Sequence, residues 1–515
     1  MPEVAIKKLN KSIEHQWKVC FFAALIVGMF AHFYKITNWL PNWDSLVFRY
    51  DSQNMLPLGR WFLPVVCSVT SFYDLPYLNG LIAIIMHAIG SVLICKMFGV
   101  KKDITAFLIG AVIVSFPSVT SVLMYNYVAD GYSIAFLFCC IAGCLMTQKK
   151  PKYILSVCLI TLSVAIYQAY ITVIIVLLIA HLSNQLIFEK RDVKYLIKKA
   201  ACYFATGLFA MILYTVILNL LLKITGTQLL DYQGINSSNA MTNINIPGTL
   251  YTVKHSISGF FFDFENGLSL FTTLNVIIFA ITICIYCVSA YKNKVLRSPV
   301  KIAIIAILVV GVVFGSTVLA LINPGVDYHN LMLMGYIVFY IFFIVLYEKG
   351  LPKSAKGENL QKWTVFVISL LIILNQIVIA NVSYHKAQIA YEKSYGTLIR
   401  IADRIEQTEN AENCNEIVVI GALDGSKEYS VDLPPDMTGI TNGFIIRADD
   451  EIVGQSVLCS ALNDYCHKHY RFLSGNRKQY FVSNPVVKDM DIWPGKGSVA
   501  VVDNVLVIKL GAESE

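Results

Sequence analysis

Eleven apolar runs, most of them about 20 residues long, recur along this chain of 515 residues. They lie at roughly 17–37, 78–97, 104–124, 130–147, 153–167, 169–188, 200–222, 267–290, 302–322, 330–347 and 363–384. Inside lipid a backbone must satisfy its own hydrogen bonds, so runs of this length read as transmembrane α-helices. Composition agrees. Hydrophobic residues make up 56% and charged residues 15%, where a soluble chain carries about 25% charged residues. A string of soluble domains is excluded. The first run is expected to remain as a span, because it is long, ends in Phe33-Tyr34-Lys35 and is followed by no small-residue cleavage site.

Basic residues predict the orientation. With the N-terminus inside, the inner segments hold 23 Lys and Arg and the outer segments 5, namely Lys35, Arg49, Arg60, Lys223 and Lys254. The split alternates correctly at every connection and supports eleven spans, N-in and C-out. Residues 1–385 carry 28 Lys/Arg against 15 Asp/Glu, and residues 386–515 carry 13 against 19. The basic excess is topological and is no nucleic-acid footprint. The expected layout is a multi-span domain over 1–385 and a small extracytoplasmic α+β domain over 386–515. In the latter a polar helix is predicted over 384–412 and another over 451–470. Strands are predicted at 416–421, 443–447, 479–482, 498–503 and 505–510. One disulfide among Cys414, Cys459 and Cys466 is open, and spacing does not choose the pair. Cys284 and Cys287 form a Cys-x-x-Cys inside a span with no second pair, which reads as packing and no metal site.

The span cores contain essentially no acids. Ion-coupled transporters place ionisable groups at the membrane midplane, and here only His87 and His181 lie deep in a run, where each reads as a packing histidine. There is no Walker A motif, no His-Glu-x-x-His and no exported Gly-x-Ser-x-Gly. Polar chemistry collects on the expected outer face instead. The first outer loop carries Asp44, Arg49, Asp51 and Arg60 among Trp39, Trp43 and Trp61. Other outer connections supply Tyr125, Asn126, Tyr127 and Asp130, then Tyr167, Gln168 and Tyr170. The loop over 223–266 adds Asp231, Tyr232, Gln233, Asn236, Lys254, His255, Asp263 and Glu265. The last such connection adds Asn323, Asp327, Tyr328, His329 and Asn330. Carboxylates and amides beside aromatic faces suit a sugar, although an interfacial aromatic belt would also place rings here. An outer site has no nucleotide-sugar supply, so a glycosyl donor there must be lipid-linked. Asp44 is then the candidate general base, and Arg60, Lys254 and His255 are candidates to hold the departing phosphate. Direct displacement would invert the anomeric carbon.

Asp44 with Leu58-Gly-Arg-Trp61, Tyr127-Val-Ala-Asp130-Gly-Tyr132 and Tyr167-Gln-Ala-Tyr170 resemble the bacterial type II glucosyltransferases of serotype conversion. Trp493-Pro-Gly-Lys-Gly-Ser-Val499 in the tail is similar too. The resemblance implies a GT-C-like integral membrane glycosyltransferase. It would move a sugar, commonly glucose, from polyprenyl phosphate to O-antigen, teichoic acid or another envelope polysaccharide. It implies Asp44 as base with Asp51 as fallback, Arg60 at the lipid phosphate, and Asp130, Tyr127, Gln168, Trp43 and Trp61 lining the cavity. Where the family often has two adjacent acids, this chain has Trp43 and Ser45 around Asp44. A divalent metal is therefore compatible with the pattern but not required by it, and no metal ligands are assigned. Implied partners are the lipid-linked donor, the polysaccharide acceptor, the bilayer, and an upstream polyprenyl-phosphate glycosyltransferase with a small flippase. The implied location is a bacterial cytoplasmic membrane with the site facing outward. A lipid-linked oligosaccharide flippase or transporter would need midplane polar groups and a repeat of spans. A non-catalytic scaffold for envelope assembly would keep its activity without Asp44. The topology has a direct check: a phosphatase reporter fused after residue 384 is expected to be active outside the cytoplasm, and a cytosolic reporter would refute the outward tail.

Overall fold

The computed structural model describes residues 2–3, 13–230, 245–264, 268–423, 437–439, 451–466 and 468–512. Ten helices among them are long and apolar enough to cross a membrane, and each falls on one of the expected runs. The fifth run is the exception. Its helix Tyr153–Ile166 has 14 residues, about 21 Å at ~1.5 Å per residue, against a hydrocarbon core of about 30 Å. It stops because Tyr167 takes an extended conformation (φ −156°, ψ 117°), and a 3-10 turn Gln168–Tyr170 starts the next span with no intervening loop. Another break has a covalent cause. Pro117 opens the helix Pro117–Met124, and Phe116 before it is extended (ψ 138°), so the span Asp103–Met124 is broken there.

The chain divides into two compact units. The first comprises Met1–Thr37 and Ser52–Asn381. In the absence of a hydrophobic drive between helices in lipid, small residues let them approach closely. Gly110 does this: a Cβ there would run into the backbone carbonyl of Cys20 on the helix His15–Thr37.

The second unit comprises Asn38–Asp51 and Val382–Glu515. Among the described residues its centre is a four-stranded sheet in the order β2-β1-β4-β3, with β1 Glu416–Ile420, β2 Arg471–Phe472, β3 Val499–Val502 and β4 Val505–Lys509. β1 runs parallel to both β2 and β4. A parallel strand covered on both faces reads as a continuous apolar run, and Ile417-Val-Val-Ile420 is one. Ile417 and Val419 pack with Leu398 and Ile401 of the helix Ala355–Glu406 and with Leu458 and Leu462 of the helix Glu451–Cys466. Val418 and Ile420 pack on the other face with Leu473, Phe481 and Val487. β3 and β4 form a hairpin whose two turn residues, Asp503 and Asn504, both have positive φ (50° and 61°). Such a turn matches the twist of the strands it joins. None of Cys414, Cys459 and Cys466 is bridged.

One expected strand is corrected. Residues 479–482 lie in a helix, Gly475–Ser483. Gln-Tyr-Phe-Val has the residue types of a strand, yet the buried positions are Lys478 and Phe481, three apart, while Tyr480 between them is exposed. Packing of Phe481 under the sheet overrides local propensity. The expected strand 443–447 lies outside the described residues. Ile417→Ala is expected to cost about 2–5 kcal/mol and to lower the thermal midpoint of the purified protein, while Val486→Ala, an exposed position, leaves it unchanged.

Candidate functional site

Gly59 allows the connection between the first two spans to double back. Pro57 lies inside the 3-10 turn Leu56–Leu58, and Gly59 follows in the left-handed region (φ +77°). The Arg60 amide then donates to the Met55 carbonyl at 3.1 Å. The turn is held from the spans. The Gln168 side-chain amide donates to the Leu58 carbonyl at 2.7 Å and the Tyr214 hydroxyl to the Gly59 carbonyl at 3.0 Å. A Cβ on Gly59 would lie 2.5 Å from the Tyr214 hydroxyl and 2.9 Å from the Gln168 nitrogen, so only glycine fits both the backbone angle and the space.

This turn aims Arg60 at a pair of tyrosines. Its Nη1 donates to the Tyr132 hydroxyl at 3.1 Å, and its guanidinium lies 4.8 Å over the Tyr167 ring. Tyr167 in turn stacks on Tyr132 at 4.7 Å. His329, on the connection before the span Asn330–Tyr347, belongs to the same neighbourhood electrostatically. Burial pushes its pKa down to about 4; the Asp327 carboxylate opposes this shift and the Arg60 charge adds to it. The imidazole is therefore neutral near pH 7, and its Nδ1 is buried without a hydrogen-bond partner. Trp61 packs edge-on against Phe62 at 5.9 Å with its indole nitrogen likewise buried and unpartnered. A planar cation, a hydroxyl and a neutral imidazole beside stacked rings can hold a phosphate or a sugar.

Asp130 sits elsewhere in the same unit. Fully buried, it accepts from the Thr70 hydroxyl at 3.0 Å and from the Gly131 amide at 2.8 Å. Both oxygens are engaged, so it ties the turn Ser68–Thr70 to the start of the helix Ala129–Thr147. The neighbouring Cys67 thiol is pushed far up by burial and then by the Asp130 charge. Asp74, 7% exposed, accepts from the Asn126 side chain and acts electrostatically on both Asp130 and Lys35. Buried acids and a buried lysine persist only as such a group. Tyr127 is buried, with its ring edge-on to Tyr125 at 6.4 Å. Asp74 and Tyr214 are not among the residues to which the sequence points. Asp74 could have been found from its place just before Pro76, which opens a span; Tyr214 has no signal, being one more aromatic in an apolar helix.

Trp43, Asp44 and Asp51 belong to the second unit. Asn42 caps a five-residue helix Trp43–Val47 by accepting from the Ser45 amide at 2.9 Å, and Asp44 lies in its first turn. An acid there also steadies the helix terminus. Leu46 is buried in the core of the unit, with Trp43 packed against that core. Arg49 bridges to Asp464 at 3.2 Å and lies 4.2 Å over the Trp39 ring. Asp51 is exposed. Lys254 and His255 are on the exposed face of the helix Ile246–Phe261, where His255 stacks on Tyr251 at 5.8 Å. Asp231, Tyr232, Gln233, Asn236 and Glu265 lie outside the described residues. Among the described residues, no three His, Cys, Asp or Glu side chains come together to hold a metal ion.

The lowered His329 pKa has a signed consequence. The unfolded chain, with a value near 6.5, takes up the proton first, so the stability due to neutral His329 is complete above about pH 6.5 and is lost as the pH falls towards 4. The wild type is expected to lose about 3 kcal/mol more over that interval than His329→Asn, read as a steeper fall of thermal midpoint with acidification.

No curated protein and no solved structure matches the chain. A family model described as glucosyl transferase GtrII matches residues 33–347. That stretch holds Asp44, the Arg60 turn, Asp130, Gln168 and His329, whereas the tail motif Trp493–Val499 lies beyond it. The match covers more than half of the sequence, and the chain belongs to the GtrII glucosyl transferase family.

Proposed function

We propose that this glycosyltransferase moves a sugar, glucose first among candidates, from a polyprenyl-phosphate donor to an envelope polysaccharide such as O-antigen or teichoic acid. The reaction takes place on the outer face of a bacterial cytoplasmic membrane. Family membership supports glucosyl transfer. The single structural observation that carries the finer reading is Arg60, aimed by the Gly59 turn at the Tyr132 hydroxyl over the Tyr167 ring. An arginine so fixed can bind phosphate with two parallel hydrogen bonds. The stacked tyrosines offer faces to a sugar ring.

Asp44 is the proposed general base, with Asp51 as the fallback. It takes the proton of the acceptor hydroxyl as that oxygen attacks the anomeric carbon. The bond from that carbon to the phosphate oxygen breaks, and the electron pair leaves with polyprenyl phosphate, whose growing charge Arg60 stabilises. One displacement inverts the anomeric centre. Lys254 and His255 are secondary candidates for the phosphate; Asp130, through its hold on the Ser68–Thr70 turn, is a positioning group. A polyprenyl-phosphate glycosyltransferase and a small flippase would supply the donor. A divalent metal is not required by this route.

A deletion strain complemented with Asp44→Asn is expected to insert the protein at wild-type level and to add no side-branch sugar to its polysaccharide. Arg60→Gln should reduce branching by at least tenfold. Wild-type branching in the Asp44 variant would remove that residue from the mechanism, and loss only in Asp51→Asn would move the role there.

A further inference from the structure

A cleft of about 420 Å³ lies within the first unit, between the helices Ile171–Ile187, Ser269–Lys292, Pro299–Ser316 and Ile337–Ile344. Its walls are almost wholly apolar, with Ile187, Val309, Val312 and Phe342 among them. Nothing in the sugar-transfer reading uses it. Three hydroxyls interrupt the apolar wall, and that of Ser183 donates to the Ile179 carbonyl at 3.0 Å. The Tyr286 hydroxyl and the Thr282 hydroxyl, both on lining residues, are buried without a hydrogen-bond partner. They lie one turn apart on the helix Ser269–Lys292, and Ala290 continues the same face another turn on, about 6 Å beyond Tyr286 at ~1.5 Å per residue.

Beyond Ala290 the chain becomes basic. Lys292 ends the helix and Lys294 and Arg297 occupy the connection to the next one; all three are exposed, and none forms an ion pair among the described residues. That connection is fixed in place. The Asn293 side chain donates to the Ile187 carbonyl at 2.7 Å, Val295 is buried, and Leu296 contributes to the cleft itself. Nearby Glu189 is already paired with Arg191 at 3.5 Å. The cleft therefore has an apolar body, a hydroxyl one turn inside, and a basic rim.

We propose that this cleft holds one acyl chain of an anionic phospholipid, with the lipid phosphate on the Lys292–Arg297 rim. The order of groups along a glycerolipid is phosphate, ester carbonyl, hydrocarbon, and the cleft offers cations, a hydroxyl donor and an apolar wall in that order. A polyprenyl phosphate shares the phosphate and the hydrocarbon but has no ester carbonyl. It would leave the Tyr286 hydroxyl unsatisfied, at the usual cost of a buried polar group. Basic residues at the membrane surface select anionic headgroups over zwitterionic ones. The ligand is a resident lipid, independent of donor and acceptor.

The full-length protein, purified in detergent, is challenged with phosphatidylglycerol, phosphatidylethanolamine and undecaprenyl phosphate in equal amounts and read by native mass spectrometry. The expected result is one retained phosphatidylglycerol per chain, at least tenfold over phosphatidylethanolamine. V309W, a large side chain at an exposed position of the cleft wall, should abolish retention. Y286F should weaken it about threefold while keeping the headgroup preference. Replacing Lys292, Lys294 and Arg297 together by Gln should erase the preference. All variants are first checked for wild-type thermal midpoints, and any that fails is replaced by L296W or I305W. No retained lipid, retention unchanged in the tryptophan variants, or a preference for undecaprenyl phosphate would each overturn the proposal.

Discussion

Lipid offers a backbone no partners, and this requirement governs where chemistry can sit in the chain. Wherever the polypeptide is helical through its own hydrogen bonds, side chains are mostly apolar and uninformative. Wherever it departs from the helix, polar groups must be provided from neighbours. The three departures described above illustrate it. Tyr167 is extended, and the residue after it, Gln168, is turned to serve the Leu58 carbonyl. Gly59 is left-handed, and its carbonyl is met by Tyr214 from within a span. The turn Ser68–Thr70 is tied down by Asp130. The candidate site is thus assembled from the chain's exceptions to helicity, each satisfied by a side chain from another segment.

That logic explains what could be read from the sequence. The spans were legible because hydropathy over about 20 residues is a strong signal. So were Arg60 and Gln168, because polar residues flanking apolar runs stand out. Tyr214 was not, since its role depends on meeting a carbonyl 155 positions away, and nothing local marks it. Asp74 is not legible either, because an acid in a polar loop looks ordinary until its burial against Asn126 is seen. In the second unit, the strand Glu416–Ile420 was legible from its unbroken apolar run, whereas Gln479–Val482 carries the same residue types and is helical. The difference lies in which neighbours Phe481 meets, and that information is not local.

Asp44 raises a separate point about how sequence adjacency misleads. It is sixteen residues from Arg60, and the two belong to different compact units. The stretch Asn38–Asp51 shares its core with residues near 400, 460 and 500, through Leu46 and through Arg49 with Asp464. The short helix that carries Asp44 is therefore held by the carboxy-terminal third of the chain as well as by its own Asn42 cap.

This arrangement imposes an order in time. The stretch around Leu46 is synthesised before any of the ten candidate spans except the first, yet the residues that bury it arrive only with the end of the last of these helices, from Leu398, and with the segments that follow it. During translation this stretch must wait, its leucine and tryptophans uncovered, until the final part of the chain has emerged. Maturation of the Asp44 helix is accordingly a late event, and a chain cut short after residue 406 would carry every candidate span and still leave that helix without the sheet and the helix Glu451–Cys466 that complete its core.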